Sequence, residues 1–151
     1  MKRLLVVYHS QSGNTEKLVR AVVRGAQCES EVEVECRRAF DTSLEDLVAC
    51  DGVVFGTAEY NGYMSGALKD FFDRTFYPAQ ERVTNKPYAV VVSAGNDGTI
   101  AVQHIERIAR GYPLKRIAEP LIVVGIVDES AEARCEELGE TFAAGLAYGI
   151  F

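Results

Sequence analysis

The chain has 151 residues, 48% of them hydrophobic and 25% charged, which is enough apolar material for one domain with a packed core over residues 1–151. Its net charge of −6 argues against nucleic acid and anionic membrane surfaces as partners, and no apolar run is long enough to span a bilayer. Cys28, Cys36, Cys50 and Cys135 form no C-x-x-C pair and only two histidines accompany them, so they read as reduced, mostly buried thiols of a cytoplasmic protein, not as a zinc site.

The chain starts with Met1-Lys2-Arg3-Leu4 directly before an apolar strand at residues 3–8, which leaves no room for a signal peptide. A helix follows over residues 15–27, with Leu18, Val19, Val22, Val23 and Ala26 on one stripe. The second strand, 31–37, alternates Val32, Val34 and Cys36 with Glu31, Glu33 and Glu35, the mark of a half-exposed edge. A short helix at 44–49 is capped by Thr42 or Ser43, with Glu45 and Asp46 in its first turn. A continuous apolar strand at 52–57 leads to a helix at 65–76. Lys86-Pro87 opens a fourth strand at 88–94, and the helix at 99–110 ends on Gly111 and Pro113. The fifth strand is expected at 121–127. Asp128 and Ser130 then start a last helix that aligns Cys135, Leu138, Phe142 and Leu146. Strands alternating with helices imply an α/β fold: a parallel sheet sandwiched between two helix layers, in the doubly wound order 2-1-3-4-5. Ligands of such sheets sit beyond the carboxyl ends of the strands, so the informative loops follow strands one, three and four.

The first of these loops holds Ser10, Gln11, Ser12, Gly13, Asn14 and Thr15 between a buried strand and a helix start. Hydroxyls, an amide and free backbone N–H groups at a positive helix end make an anion cradle without Lys or Arg. A nucleotide-triphosphate loop would need a Gly-Lys pair, and a dinucleotide fingerprint three spaced glycines; neither is here. A tyrosine phosphatase would need a Cys nucleophile in the loop, and a response regulator an Asp at the end of strand three; both are missing. One such residue would suffice to cap the helix, so four capping-type side chains, Ser10, Ser12, Asn14 and Thr15, favour a bound monophosphate.

The second loop carries Ala58, Glu59, Tyr60, Asn61, Gly62, Tyr63, Met64, Ser65 and Gly66. A flat heteroaromatic ring can stack on Tyr60 or Tyr63, and Asn61-Gly62 is a turn pair that tolerates unusual φ. The same residues also read as a plain turn whose tyrosines cover the sheet end. The third loop, Ser93, Ala94, Gly95, Asn96, Asp97 and Gly98, lets a flat ligand lie on backbone, and reads equally as an Asn-Asp-Gly turn.

Together, the S-x-S-G-N-T run of loop one and the stretch from Glu59 to Arg74 resemble the flavodoxin-like superfamily. Loop one is similar to the phosphate loop [ST]-x-[ST]-G-x-[TN]-[ET] of flavodoxins. The second stretch is similar to the P-E-Y-N-x-S-x-P-G-x-L-K-N-x-x-D segment of NAD(P)H-dependent FMN reductases. It also resembles the G-x-M-S-G and F-x-D-x-T runs of the tryptophan-repressor-binding-protein quinone reductases, here Gly62, Met64, Ser65, Gly66, Phe71, Asp73 and Thr75. The resemblance implies FMN held without a covalent bond. Its phosphate would lie on Ser10, Gln11, Ser12, Gly13, Asn14 and Thr15. Its ring would be lined by Ala58, Glu59, Tyr60, Asn61 and Gly62, and its pyrimidine edge covered by Ser93, Ala94, Gly95, Asn96 and Gly98.

The chain departs from these relatives in three places. Ala58 stands where a Pro is usual, the long insertion of the quinone reductases is absent, and Gly95-Asn96-Asp97-Gly98 only approximates the acidic loop of electron-carrier flavodoxins. The fifth strand is not visibly split by a long insert. The expected function is an NAD(P)H-dependent FMN oxidoreductase that reduces a quinone, flavin or similar acceptor. The alternative is a flavodoxin-type carrier between redox partner proteins. A homodimer fits either reading. Flavin chemistry belongs to the cofactor, so no side chain is nominated as catalytic, and His9 is read as packing at the strand end.

Overall fold

A computed structural model describes residues 1–151. Its central strands are β1 (Lys2–Tyr8), β3 (Gly52–Ala58) and β4 (Pro87–Ala94), with β2 (Val32–Arg38) at one edge. All pair in parallel, in the order β2-β1-β3-β4. The buried strands are continuous apolar runs because both faces are covered, and successive side chains feed opposite cores. Leu5, Val7, Val53, Phe55, Val90 and Val92 face one layer, whereas Leu4, Val6, Tyr8, Val54, Ala89 and Val91 face the other.

On the second face lie α1 (Asn14–Ala26) and α5 (Glu129–Ala147). On the first lie α2 (Leu44–Ala49), α3 (Gly66–Thr75) and α4 (Thr99–Gly111). Ser43 and Asp46 form a reciprocal capping box on α2, Ser65 caps α3, and Asp128 caps α5. α1 packs close against β3: a Cβ on Gly56 would sit 2.5 Å from Val19 Cγ1.

The fifth position departs from the sequence expectation. Two short strands, β5 (Lys115–Arg116) and β6 (Leu121–Val124), both pair with β4, at its opposite ends. β6 stops at Val124 and does not run to Val127, because its neighbour β4 ends at Ala94. The Gly125 N–H donates to the Ala94 carbonyl, and the chain turns away with Gly125 at φ 82°. β2 is the expected half-exposed edge, and Arg3 reaches Glu35 across it at 2.6 Å.

The thiols are less buried than the sequence indicated. Cys50 and Cys135 are buried, Cys36 is half-buried and Cys28 is exposed. Burial pushes the Cys50 and Cys135 thiols each up to about 11, so both stay protonated at neutral pH. After α5, the Phe151 ring packs edge-on against Phe142 at 5.7 Å, while Tyr148 and Ile150 stay exposed. No helix is long and apolar enough to cross a membrane.

Candidate functional site

The loops after β1, β3, β4 and β6 meet at the carboxyl end of the sheet. They enclose a cleft of about 400 Å³. Of the residues expected from the sequence, Ser12, Asn14, Ala58, Glu59, Tyr60, Ser93, Ala94 and Gly95 line it. Ala58, Ala94 and Gly95 give it a small-residue floor. Three residues of the unexpected wall, Gly125, Ile126 and Val127, come from the segment that the sequence suggested was strand. Ile126 is 87% exposed at this rim. Lys17, in the first turn of α1, also lines the cleft and enters no salt bridge.

Ser10, Gln11, Gly13 and Thr15 shape the loop without lining the cleft. Gly13 is the N-cap of α1 with φ 102°, a left-handed conformation that favours glycine, and it offers no side-chain cap. Ser10 accepts the Gly13 N–H at 3.1 Å, which fixes the turn. Thr15 is buried, and its hydroxyl lies 2.7 Å from the Ser93 hydroxyl, tying loop one to the end of β4. No side chain accepts from the first-turn amides of α1, whose helix begins with the Lys17 N–H bonded to the Gly13 carbonyl. Glu16, the one acid in that turn, is engaged elsewhere. Its Oε1 accepts from the Tyr8 hydroxyl at 2.9 Å and lies 3.6 Å and 3.7 Å from Arg20 and Arg38.

Glu59 lines the cleft and also holds the start of α4. Its two carboxylate oxygens accept from the Gly98 N–H at 3.1 Å and the Ala101 N–H at 3.0 Å, capping α4. Gly98 holds φ 93° at the start of α4, packed beside Ile122, and does not line the cleft. Asn96 is exposed beside it. Tyr60 and Tyr63 exchange two backbone hydrogen bonds of 2.9 Å across Asn61 and Gly62, which hold φ 51° and 70°. Positive φ at both central residues makes a type I′ hairpin turn. The hairpin separates the two tyrosines: Tyr60 lines the cleft, whereas Tyr63 packs on His104 at 4.6 Å, on the α3–α4 side. Asn61 and Gly62 therefore form the rim between the two sides. Burial, and then the charge of Arg38, hold the His9 imidazole below its usual pKa, so it is neutral at pH 7; its ring packs on Phe40 at 6.3 Å.

Residues 37–118 match the NADPH-dependent FMN reductase family. The chain belongs to that family. It is accordingly an FMN-binding redox flavoprotein with a flavodoxin-like fold. The match holds loops two and three and lies outside loop one, which stands on its own residues. The NAD(P)H dehydrogenase (quinone) of Acidithiobacillus ferrooxidans is 33% identical over 114 residues, covering 62% of this chain and 57% of that protein. The flavodoxin of Aquifex aeolicus is 29% identical over 98 residues, covering 65% and 53%. The chain thus spans about half the length of these relatives. An archaeal flavodoxin superposes with a TM-score of 0.86 at 23% identity, covering 95% of this chain and 98% of its own.

The residues present suit FMN. α1 is the one α-helix whose first-turn amides receive no side chain, as a phosphate requires. The floor of Ala58, Ala94 and Gly95 and the wall of Tyr60 suit a flat ring.

Proposed function

We propose that residues 1–151 act as one FMN-binding domain that takes electrons from NAD(P)H and delivers them to a small-molecule acceptor such as a quinone or flavin. Bound FMN supplies the two-electron chemistry. The chain's own part is to bind, orient and shield. The amides of α1 with Ser12 and Asn14 hold the phosphate, and Lys17 offsets its charge. Ser10 and the Thr15–Ser93 pair keep that cradle in shape. Tyr60 and the small-residue floor position the ring, and Ile126 excludes water from one side. No side chain needs to move a proton.

The observation that carries the enzyme reading is the charge of the cleft. Its only carboxylate, Glu59, is committed to the N-terminus of α4, and Lys17 adds an unpaired cation. A neutral to cationic mouth admits an anionic nicotinamide nucleotide, whereas a carrier gains specificity from acid around its ring. A carrier reading has one specific support: the similarity to the archaeal flavodoxin runs over nearly that whole chain. Purified FMN-loaded protein mixed with NADPH in the absence of oxygen separates the two. The enzyme reading expects the yellow colour to bleach and to return on adding a quinone. A flavin that only a flavoprotein reductase can bleach overturns it in favour of the carrier.

A further inference from the structure

The sheet has two edges of opposite character. At β2, Glu33 and Glu35 pair with Arg3, and Arg37 pairs with Glu35. Charged side chains along an edge discourage the addition of a further strand. The other edge is formed by β5 and β6. β4 is the one strand that pairs with β6, so no strand lies on its outer side. The run from Pro120 to Val127 carries no charge through the strand and the turn after it. Val124 is 51% exposed there and Ile126 87%. An unguarded apolar edge is a template for pairing with another chain.

Beside this edge, a groove of about 390 Å³ runs between the β5–β6 connection and α5. Pro120, Leu121 and Leu138 supply apolar lining, and Arg134 and Glu137, about one turn apart on α5, supply opposite charges. The other acids nearby are already engaged: Glu119 by Arg116 at 3.3 Å, Glu132 and Glu136 by Arg24 of α1. Arg134 and Glu137 are exposed and enter no ion pair, with each other or with any other residue.

An unpaired cation and an unpaired anion beside one apolar strip make this surface its own complement. In a two-fold pair, when one residue meets a second across the interface, the second meets the first in return. Arg134 of one copy against Glu137 of the other therefore gives two ion pairs. A two-fold axis perpendicular to the sheet also sets the two β6 strands antiparallel, a geometry in which strands exchange hydrogen bonds, and puts both α5 helices on one face.

We propose that β6 and the Arg134–Glu137 turn of α5 form the surface on which a second copy of this chain docks. The two sheets then continue into one another across the paired β6 strands. The flavin-cleft wall at Gly125, Ile126 and Val127 follows directly from β6 and so adjoins the interface. The proposal holds for a reductase and for a carrier alike.

Sedimentation velocity of the FMN-loaded chain over a wide concentration range tests it. The expected result is a concentration-dependent dimer. Val124→Lys, which puts a charge on the edge, should abolish it. Arg134→Glu and Glu137→Arg should each weaken it on the order of tenfold, because the symmetry applies every change twice. Arg134→Glu combined with Glu137→Arg should restore the wild-type dissociation constant, since both ion pairs are rebuilt with their charges exchanged. The two α5 positions are exposed, so their variants test the surface even where Val124→Lys fails to fold. A monomer at every concentration overturns the proposal. So does a dimer that Arg134→Glu leaves intact, which would put the contact on another face, and so does a double exchange that stays as weak as the single changes.

Discussion

Two helices, α1 and α4, begin at the carboxyl end of the sheet on opposite faces, and each starts on a glycine in the left-handed region, Gly13 at φ 102° and Gly98 at φ 93°. The chain fills one of them itself. Both oxygens of Glu59 sit on the amides of α4, whereas the first-turn amides of α1 receive no side chain, and the nearest acid, Glu16, is engaged by Tyr8, Arg20 and Arg38. A helix start carries a positive field and unpaired N–H groups whatever its sequence. What distinguishes the two starts is that the fold supplies an internal anion to α4 and none to α1. Loop one is therefore defined as much by the carboxylate it lacks as by the hydroxyls it has.

The largest expected effect comes from opening the filled terminus. Glu59→Ala removes two charge-assisted hydrogen bonds and should cost about 2–3 kcal/mol of stability in urea unfolding. Glu59→Gln, which keeps one acceptor, should cost about half of that. A loss below about 0.5 kcal/mol for the alanine variant would mean that α4 does not depend on the cap.

Next comes the open terminus. Thr15→Ala removes the brace to Ser93 beneath the cradle, and should weaken FMN binding by about 1–2 kcal/mol while leaving riboflavin, which has no phosphate, nearly unaffected. It should also lower stability by about 1 kcal/mol, because the buried Ser93 hydroxyl loses its partner. Thr15→Ala combined with Ser93→Ala should cost less stability than the two changes added together. Equal losses of FMN and riboflavin affinity would place the phosphate elsewhere. A smaller effect joins the two ends of the comparison. Inorganic phosphate at about ten times its dissociation constant should stabilise the flavin-free protein by about 1.4 kcal/mol. In Glu59→Ala a second increment should appear as α4 accepts an anion. A single increment in both proteins would show that an open helix start alone does not bind phosphate here.

The sequence made the open site easier to read than the closed one, for a physical reason. The hydroxyls of loop one, Ser10, Ser12 and Thr15, all lie within six residues, a local pattern. Likewise the buried strands are continuous apolar runs and the helices carry their own caps, Ser43 and Asp128 among them. Glu59 acts on amides 39 and 42 residues away, a pairing that no local pattern encodes. The wall at Gly125, Ile126 and Val127 was hidden because its apolar residues continue the pattern of β6. Only the end of β4 at Ala94 determines where that strand must stop. The two residues of β5 are too few to show any period. The hairpin that sends Tyr60 and Tyr63 to different sides was announced by Asn61-Gly62, but the sides themselves depend on His104 of α4.

The smallest effect concerns His9, which stands directly before loop one and would, if charged, make α1 a cationic site instead of an amide one. Burial, and then Arg38, hold its pKa below the usual value. The sign follows from that direction. A histidine lowered on folding binds its proton less readily in the native state, so the stability it contributes is present above its unfolded pKa and is lost as pH falls through that value toward the folded one. Near pH 7 and above the ring is neutral and adds nothing to phosphate binding. His9→Gln should therefore change FMN affinity by less than about 0.5 kcal/mol at pH 7. It should remove a small loss of stability below about pH 6. If His9→Gln instead weakened FMN tenfold while sparing riboflavin, a protonated imidazole would be holding the phosphate. The contrast between the two helix starts would then be one of side-chain charge at both ends, and not of an anion present at one and absent from the other.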